Sequence, residues 1–179
     1  MTRTLAVAAI VGLALALTGC SASDSGSGAD QQQGEAAQAI SDSIMGEQDG
    51  ATEDVFAMKR AEADCIGQGF VDDIGVEQLQ EYGYLTEDLK AKPLTSVTMG
   101  TADAEAATSV LFDCADVLGL MEQAISTGQK LDPKTQKCLH DVLTEDKLRS
   151  MFTLLFSGKH DQAGQEVIAP MMECAAPQQ

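Results

Sequence analysis

Four of the five cysteines in this chain lie among apolar residues that recur at intervals of three and four. The clearest such series consists of Val110, Leu111, Cys114, Val117, Leu118, Met121 and Ile125. Cys65, Cys138 and Cys174 occupy similar positions in their own segments. This spacing indicates amphipathic helices with the cysteines on their inward faces. It therefore predicts an all-α fold, a helical bundle in which disulfides can join neighbouring helices.

The N-terminus has the order of a secretory signal peptide. Met1–Thr4 contains one positive side chain, Arg3, and the thirteen residues from Leu5 to Leu17 carry no charge. Gly19 and Cys20 close this run, and a polar segment comes after them. The run is too short to span a bilayer comfortably, so it predicts an export signal and not a membrane helix.

The end of this run, Leu17-Thr18-Gly19-Cys20, resembles the lipobox of bacterial lipoproteins. The resemblance implies that a diacylglyceryl group is attached to Cys20 and that residues 1–19 are then removed. Two acyl chains hold a protein stably on a bilayer. The expected location is thus the extracytoplasmic face of the cell membrane. The alternative is an ordinary signal peptide in which Cys20 stays a thiol.

Removal of residues 1–19 takes away Arg3 and leaves 160 residues with 10 basic and 28 acidic side chains, a net charge of −18. Residues 20–34 are rich in Ser, Gly and Gln and predict a flexible tether behind the lipidated cysteine. Residues 35–179 are enough for one helical domain. The acidic balance disfavours nucleic acid as a partner, because phosphate binding needs clustered Lys and Arg.

With Cys20 assigned to lipid, an even number of cysteines is left for disulfides outside the cytoplasm. Four cysteines permit three pairings, and no Cys-x-x-Cys spacing indicates a redox or zinc motif. The alternative is four buried free thiols.

A loose internal repeat favours one pairing. Residues 53–118 and 133–176 each read as a helix with a cysteine, an acidic-capped helix, and a second helix with a cysteine; Val71–Asp73 is matched with Thr144–Asp146. Pairing within each half gives Cys65–Cys114 and Cys138–Cys174. The alternative is chance similarity between amphipathic helices, which would leave the pairing open.

The tripeptide Thr-Glu-Asp occurs at 52–54, 86–88 and 144–146, and each copy predicts a helix start. The hydroxyl can accept from free amides of the first turn, and the acids suit the positive end of the helix dipole. Leu143 and Leu148 flank the third copy with the spacing of a hydrophobic staple.

The other predicted helices are set by the apolar spacing and the Gly and Pro positions. Gly67 and Gly69 lie in the Cys65 helix, where they either permit close packing or kink or end it. Leu94–Met99 lacks clean alternation and predicts a loop. The remaining predicted helices are 35–45 (ended by 46–50), 75–84, 101–128, one from Pro133, and one from Asp161 that is bent or restarted at Pro170.

Recognisable catalytic and metal-binding motifs do not occur in the sequence. His140 and His160 are its only imidazoles, and we expect both at the surface. The acidic pairs Asp72/Asp73 and Glu145/Asp146 predict a solvated face. His140 with Met151, Met171 and Met172 could in principle ligate copper(I), but no Met-x-x-Met or His-x-Met cluster is present, and methionines at helical spacing usually fill cores. We therefore predict no enzyme activity, no metal and no cofactor.

These features predict a lipid-anchored binding or interaction module of the cell envelope, with a protein partner of unknown identity. The alternative is a carrier that holds a small hydrophobic ligand between its helices. A large internal cavity would favour the carrier, whereas a core packed at ordinary density would count against it.

Overall fold

The computed structural model describes residues 27–49, 58–128 and 132–175. Within these ranges the chain is helical and has no strand, only an isolated antiparallel bridge between Leu85 and Ala91. The elements in chain order are α1 (Ser27–Asp49), α2 (Arg60–Asp73), α3 (Val76–Glu81), a 3-10 turn (Leu94–Ser96), α4 (Thr101–Cys114), α5 (Val117–Gly128), α6 (Pro133–Val142), α7 (Glu145–Phe156), α8 (His160–Ala163), a π-helical turn (Gly164–Ile168) and α9 (Ala169–Ala175). The all-α, disulfide-stapled bundle expected from the sequence is confirmed.

Two disulfides join the helices in the arrangement that pairing within halves predicts. Cys65 on α2 is bonded to Cys114 on α4, with 5.5 Å between their Cα atoms. Cys138 on α6 is bonded to Cys174 on α9, with 5.6 Å between their Cα atoms. Both separations are in the usual range for disulfides. Each bond thus closes one group of helices, α2–α4 or α6–α9, which we call the first and second stapled units.

Two groups of buried apolar side chains form the core. The larger group lies among α1, α2, α3 and α4 and includes Phe156 from the end of α7. The smaller group lies among α7, α8 and the π-helical turn next to α8. Phe112 and Phe152 pack against both groups, with ring centroids 5.9 Å apart in an edge-to-face arrangement. These two rings therefore connect the stapled units.

Gly67 and Gly69 permit close packing on both sides of α2. A Cβ at Gly67 would clash with the backbone carbonyl oxygen of Ala37 on α1. A Cβ at Gly69 would lie 2.5 Å from a methyl carbon of Val110 on α4. The two glycines let α2 lie against α1 and α4 at short range, and α2 continues through both to Asp73.

The first helix is longer than the sequence predicts. α1 begins at Ser27, so residues 27–34 are helical and are not part of a flexible tether, and Gly46 does not end the helix. Ala36, Ile40 and the rest of the buried face hold the helix, and its exposed first turns extend from there, aided by a Gln31–Glu35 hydrogen bond of 3.0 Å. Residues 1–26, which include Cys20, and the predicted start at 52–54 lie outside the described residues.

The helix start predicted at 86–88 is wrong. The Thr86 hydroxyl accepts from the Lys90 amide at 3.0 Å, and the Thr86 amide donates to the Lys90 carbonyl at 3.0 Å, which closes a tight loop. Leu89 has a φ of 55° in this loop, and Pro93 lies shortly after it. A Thr or Asp side chain bonds to backbone in turns as readily as in helix caps, so the tripeptide alone does not specify a helix.

The single helix predicted from Thr101 to Gly128 is two helices. Ala115 has an extended backbone between α4 and α5, and the Asp116 carboxylate accepts from the Gly119 amide at 2.9 Å. Asp116 therefore caps a new helix start. The apolar series continues past this break: at the start of α5, Val117 is buried and Leu118 is partly buried.

The repeat is only partly visible in the fold. Asp72 and Asp73 lie in the last turn of α2, so the predicted match with Thr144–Asp146, which does begin a helix, is wrong. The middle helix of the first unit, α3, instead begins after Gly75. The irregularity predicted at Pro170 is present: a π-helical turn, with the Ala169 amide bonded to the Gly164 carbonyl, comes before Pro170, and α9 begins at Ala169.

Candidate functional site

An apolar cavity of about 540 Å³ lies between the two stapled units. This volume is within the range of about 300–1,000 Å³ typical of small-molecule sites. Its lining is contributed by α1, α2, α4, α7, the first residue of α8, the 3-10 turn, and the segments just before α2 and just after α3. The lining residues are Ile44, Met58, Ile66, Phe70, Tyr84, Leu94, Leu111, Phe152, Leu155, Phe156 and His160.

Each wall of the cavity is an inward helix face fixed by packing elsewhere. Ile66 and Phe70 are one turn apart on α2, which the close contact at Gly67 presses against α1. Leu111 lies on α4, next to the Cys114 that ties α4 to α2. Phe152 and Phe156 are one turn apart on α7. The cavity is therefore a gap where α7 meets α2 and α4 without filling the space between them.

Aromatic rings make up much of the lining. Phe70 and Tyr84 meet edge to face with centroids 6.1 Å apart, and both are almost fully buried. Phe152 and Phe156 lie 6.1 Å apart at an interplanar angle of 40°. The two pairs belong to different stapled units, so rings contribute to the lining from both sides.

Charge is absent from the part of the lining that the structure describes. None of these side chains is Asp, Glu, Lys or Arg, although the chain has 28 acidic and 11 basic residues. Tyr84 is buried, whereas His160 is exposed and marks the solvent side of the cavity. Such a site can exclude water from an apolar ligand and offer it an imidazole at the rim.

The structure separates the other sequence candidates. His140 is exposed on α6, with its Nδ1 3.3 Å from a carboxylate oxygen of Glu122. Glu145 accepts from Arg149 at 2.8 Å, and both Asp72 and Asp73 are exposed. None of these groups lines the described cavity, so they do not combine with His160 there.

The methionines considered for copper do not all lie together, because Met172 is apart from the other two. Met151 is buried in the smaller core group and Met171 packs against it, whereas Met172 is 69% exposed. Across the described ranges, no three His, Cys, Asp or Glu side chains converge as metal ligands would. None of the helices in these ranges combines the length and apolar content needed to cross a bilayer.

Sequence reasoning placed His160 at the surface but missed its neighbours. The other lining residues read as ordinary core positions, because their helical spacing is the same whether the opposing side is filled or empty. The one available signal was composition: the chain has seven aromatic residues and no Trp, and four of the seven line this cavity.

No protein-family model matches the chain, and no curated protein or solved structure was found to be similar to it.

Proposed function

We propose that this protein is a lipid-anchored, extracytoplasmic binding protein that holds a small hydrophobic ligand in the cavity between its stapled units. The observation that carries the proposal is the uncharged, largely aromatic and aliphatic cavity of about 540 Å³. Water finds few hydrogen-bond partners on such a lining, whereas an apolar ligand would remove both its own surface and the lining from water. The anchor is supported by the resemblance of residues 17–20 to a lipobox.

An interaction module for a protein partner, the leading expectation from the sequence, is the second candidate. A protein-binding surface usually includes a contiguous exposed apolar patch. Among the large apolar side chains that the structure describes, the prominent exposure is that of Met172, a single side chain. The cavity therefore favours the carrier over the interaction module.

Titration of the purified protein with N-phenyl-1-naphthylamine tests the cavity. This neutral probe fluoresces strongly in apolar surroundings, and we expect one saturable site. Leu155→Trp places a large ring in the lining and should weaken binding at least tenfold without lowering the unfolding temperature. Met172→Trp adds the same ring at an exposed position and should bind as the wild type does.

Acyl chains on the natural protein would contribute equally to probe binding in both variants. The comparison of the two therefore reports probe binding in the cavity alone. A wild type without saturable binding, or a Leu155→Trp variant that binds as tightly as Met172→Trp, would refute the carrier proposal. The anchor is tested separately: mass spectrometry of the natural protein should find Cys20 as the first residue, carrying a diacylglyceryl group. An N-terminal peptide in which Cys20 is unmodified would refute lipid attachment there.

A further inference from the structure

The aromatic residues of this chain are concentrated at one place. Phe70, Tyr84, Phe152 and Phe156 are four of its seven aromatic residues, and all four line the cavity. The smaller core group provides a comparison, because its buried members are aliphatic: Leu143, Leu148, Met151, Ala163 and Val167. The buried rings of the two core groups, Phe70, Tyr84 and Phe156, therefore all line the cavity, whereas Phe112, which packs against both groups, does not.

Ring-lined space distinguishes between ligands of equal apolar area. Aromatic pairs gain affinity beyond area burial when they adopt edge-to-face or offset arrangements, roughly 2- to 12-fold per good contact. The pair Phe70–Tyr84 and the pair Phe152–Phe156 can each offer such contacts to a ligand between them. A saturated chain would bury the same area but gain nothing from the ring quadrupoles.

The polar end of the ligand is constrained by His160. Its imidazole has a ring N–H to donate, whichever nitrogen carries the hydrogen. Lys159 and Asp161 flank it with opposite charges, and the whole chain carries −17. The rim thus offers a hydrogen-bond donor without a net local charge, and the protein as a whole disfavours an anion.

We propose that the cavity takes a neutral, ring-containing ligand, aromatic or conjugated, with a carbonyl-type oxygen that accepts a hydrogen bond from His160. This inference rests on the proposed ligand-binding function and names the chemical class of the ligand. A saturated acyl chain and an anionic lipid are the classes it excludes.

Three compounds with one carbon skeleton separate the contributions: benzophenone, dicyclohexyl ketone and diphenylmethane. Displacement of N-phenyl-1-naphthylamine should rank benzophenone above each of the other two by about threefold or more. The comparison is stringent, because dicyclohexyl ketone is the more hydrophobic ketone and would bind more tightly if area alone decided.

Variants assign the preference to residues. Phe152→Leu keeps an apolar lining but removes one of the four rings, and should lower the ratio of benzophenone affinity to dicyclohexyl ketone affinity. Leu94→Met changes the lining without removing a ring and should leave that ratio unchanged. His160→Leu should lower benzophenone affinity to that of diphenylmethane. His160→Gln retains an N–H donor and should restore part of the difference.

The outcomes are distinguishable. If the probe binds and Leu155→Trp blocks it, but dicyclohexyl ketone binds as well as benzophenone, the ligand class is wrong and the carrier function stands. If His160→Leu weakens benzophenone and diphenylmethane equally, the hydrogen bond from His160 is wrong. If the wild type has no saturable site for the probe, both the ligand class and the carrier function are overturned.

Discussion

Removal of the Cys65–Cys114 disulfide is expected to impair the cavity, whereas removal of Cys138–Cys174 is not. The first bond joins α2 and α4, which contribute Ile66, Phe70 and Leu111 to the lining. The second joins α6 and α9, and neither helix contributes a lining residue within the described chain. The paired variants Cys65→Ala/Cys114→Ala and Cys138→Ala/Cys174→Ala therefore differ in what they do to binding.

Their effects on global stability should be nearly equal. The bonded cysteines are 49 and 36 residues apart, so the loop-entropy relation gives about 4.1 and about 3.8 kcal/mol of stabilisation at 25 °C. These are upper values, since measured losses often fall below the relation. For a chain of this size, a loss near 4 kcal/mol lowers the unfolding temperature by roughly 8–16 °C.

Binding should separate the two variants. If untying α2 from α4 lowers the fraction with a formed cavity to between about one third and one tenth, the apparent dissociation constant rises about 3- to 10-fold. The second variant should keep wild-type affinity at a temperature where both are folded. Urea unfolding and probe titration measure the two properties independently. Equal loss of affinity in two folded variants would refute the view that the first disulfide supports the cavity.

Three further predictions concern local structure. Gly67→Ala should destabilise the protein by about 1–2 kcal/mol in urea unfolding, because the clash with α1 exceeds the helix-propensity gain, whereas Gly34→Ala, with nothing within 4 Å, should stabilise it by up to about 1 kcal/mol. Hydrogen bonds from Thr135 lower the pKa of Asp132 in the folded protein. The stability that this cap contributes is therefore present above the unfolded pKa of about 3.9 and is lost as pH falls through the lower folded pKa. Asp132→Ala should accordingly reduce the unfolding temperature near neutral pH but much less in acid. The hydrogen bond to Asp103 raises the pKa of Tyr82, so Asp103→Asn should lower it toward its ordinary value in an ultraviolet titration.

Local patterns predicted the elements whose determinants lie close together in sequence. The staple between Leu143 and Leu148 is present: both side chains are buried in the smaller core group, and α7 begins at Glu145 after Thr144. The staple depends on residues within about two turns of one another. For Gly67 the sequence left close packing and a kink both open, because the deciding contact is with Ala37 on a different helix, α1.

Elements whose conformation is decided by residues beyond the motif were not predictable in this way. Thr86 accepts from the amide four residues on in a loop, whereas a capping Thr accepts from an amide two or three residues on. The loop depends on the positive φ of Leu89 and on the nearby Pro93. The break at Ala115 was hidden for the opposite reason, since the apolar series has the same phase on both sides of it. Periodicity reports which face is buried, but not whether the backbone is continuous.

The cavity could not be predicted because the residues that line it have the same sequence pattern as residues of a filled core. Leu111 and Leu155 lie on inward faces, as filled core positions do, and only the distance between α4 and α7 leaves a gap between them. That distance is set by contacts between α4 and α7, including the Phe112–Phe152 contact, in which Phe152 is itself a lining residue, and the hydrogen bond of 3.0 Å from Thr153 to Thr108. Both disulfides act within a stapled unit, and among the described residues none crosses from one unit to the other. Each stapled unit is therefore tied by its own disulfide, whereas the described side chains of the two units meet beside the cavity through non-covalent contacts, so the cysteine pairing could not reveal the distance between α4 and α7.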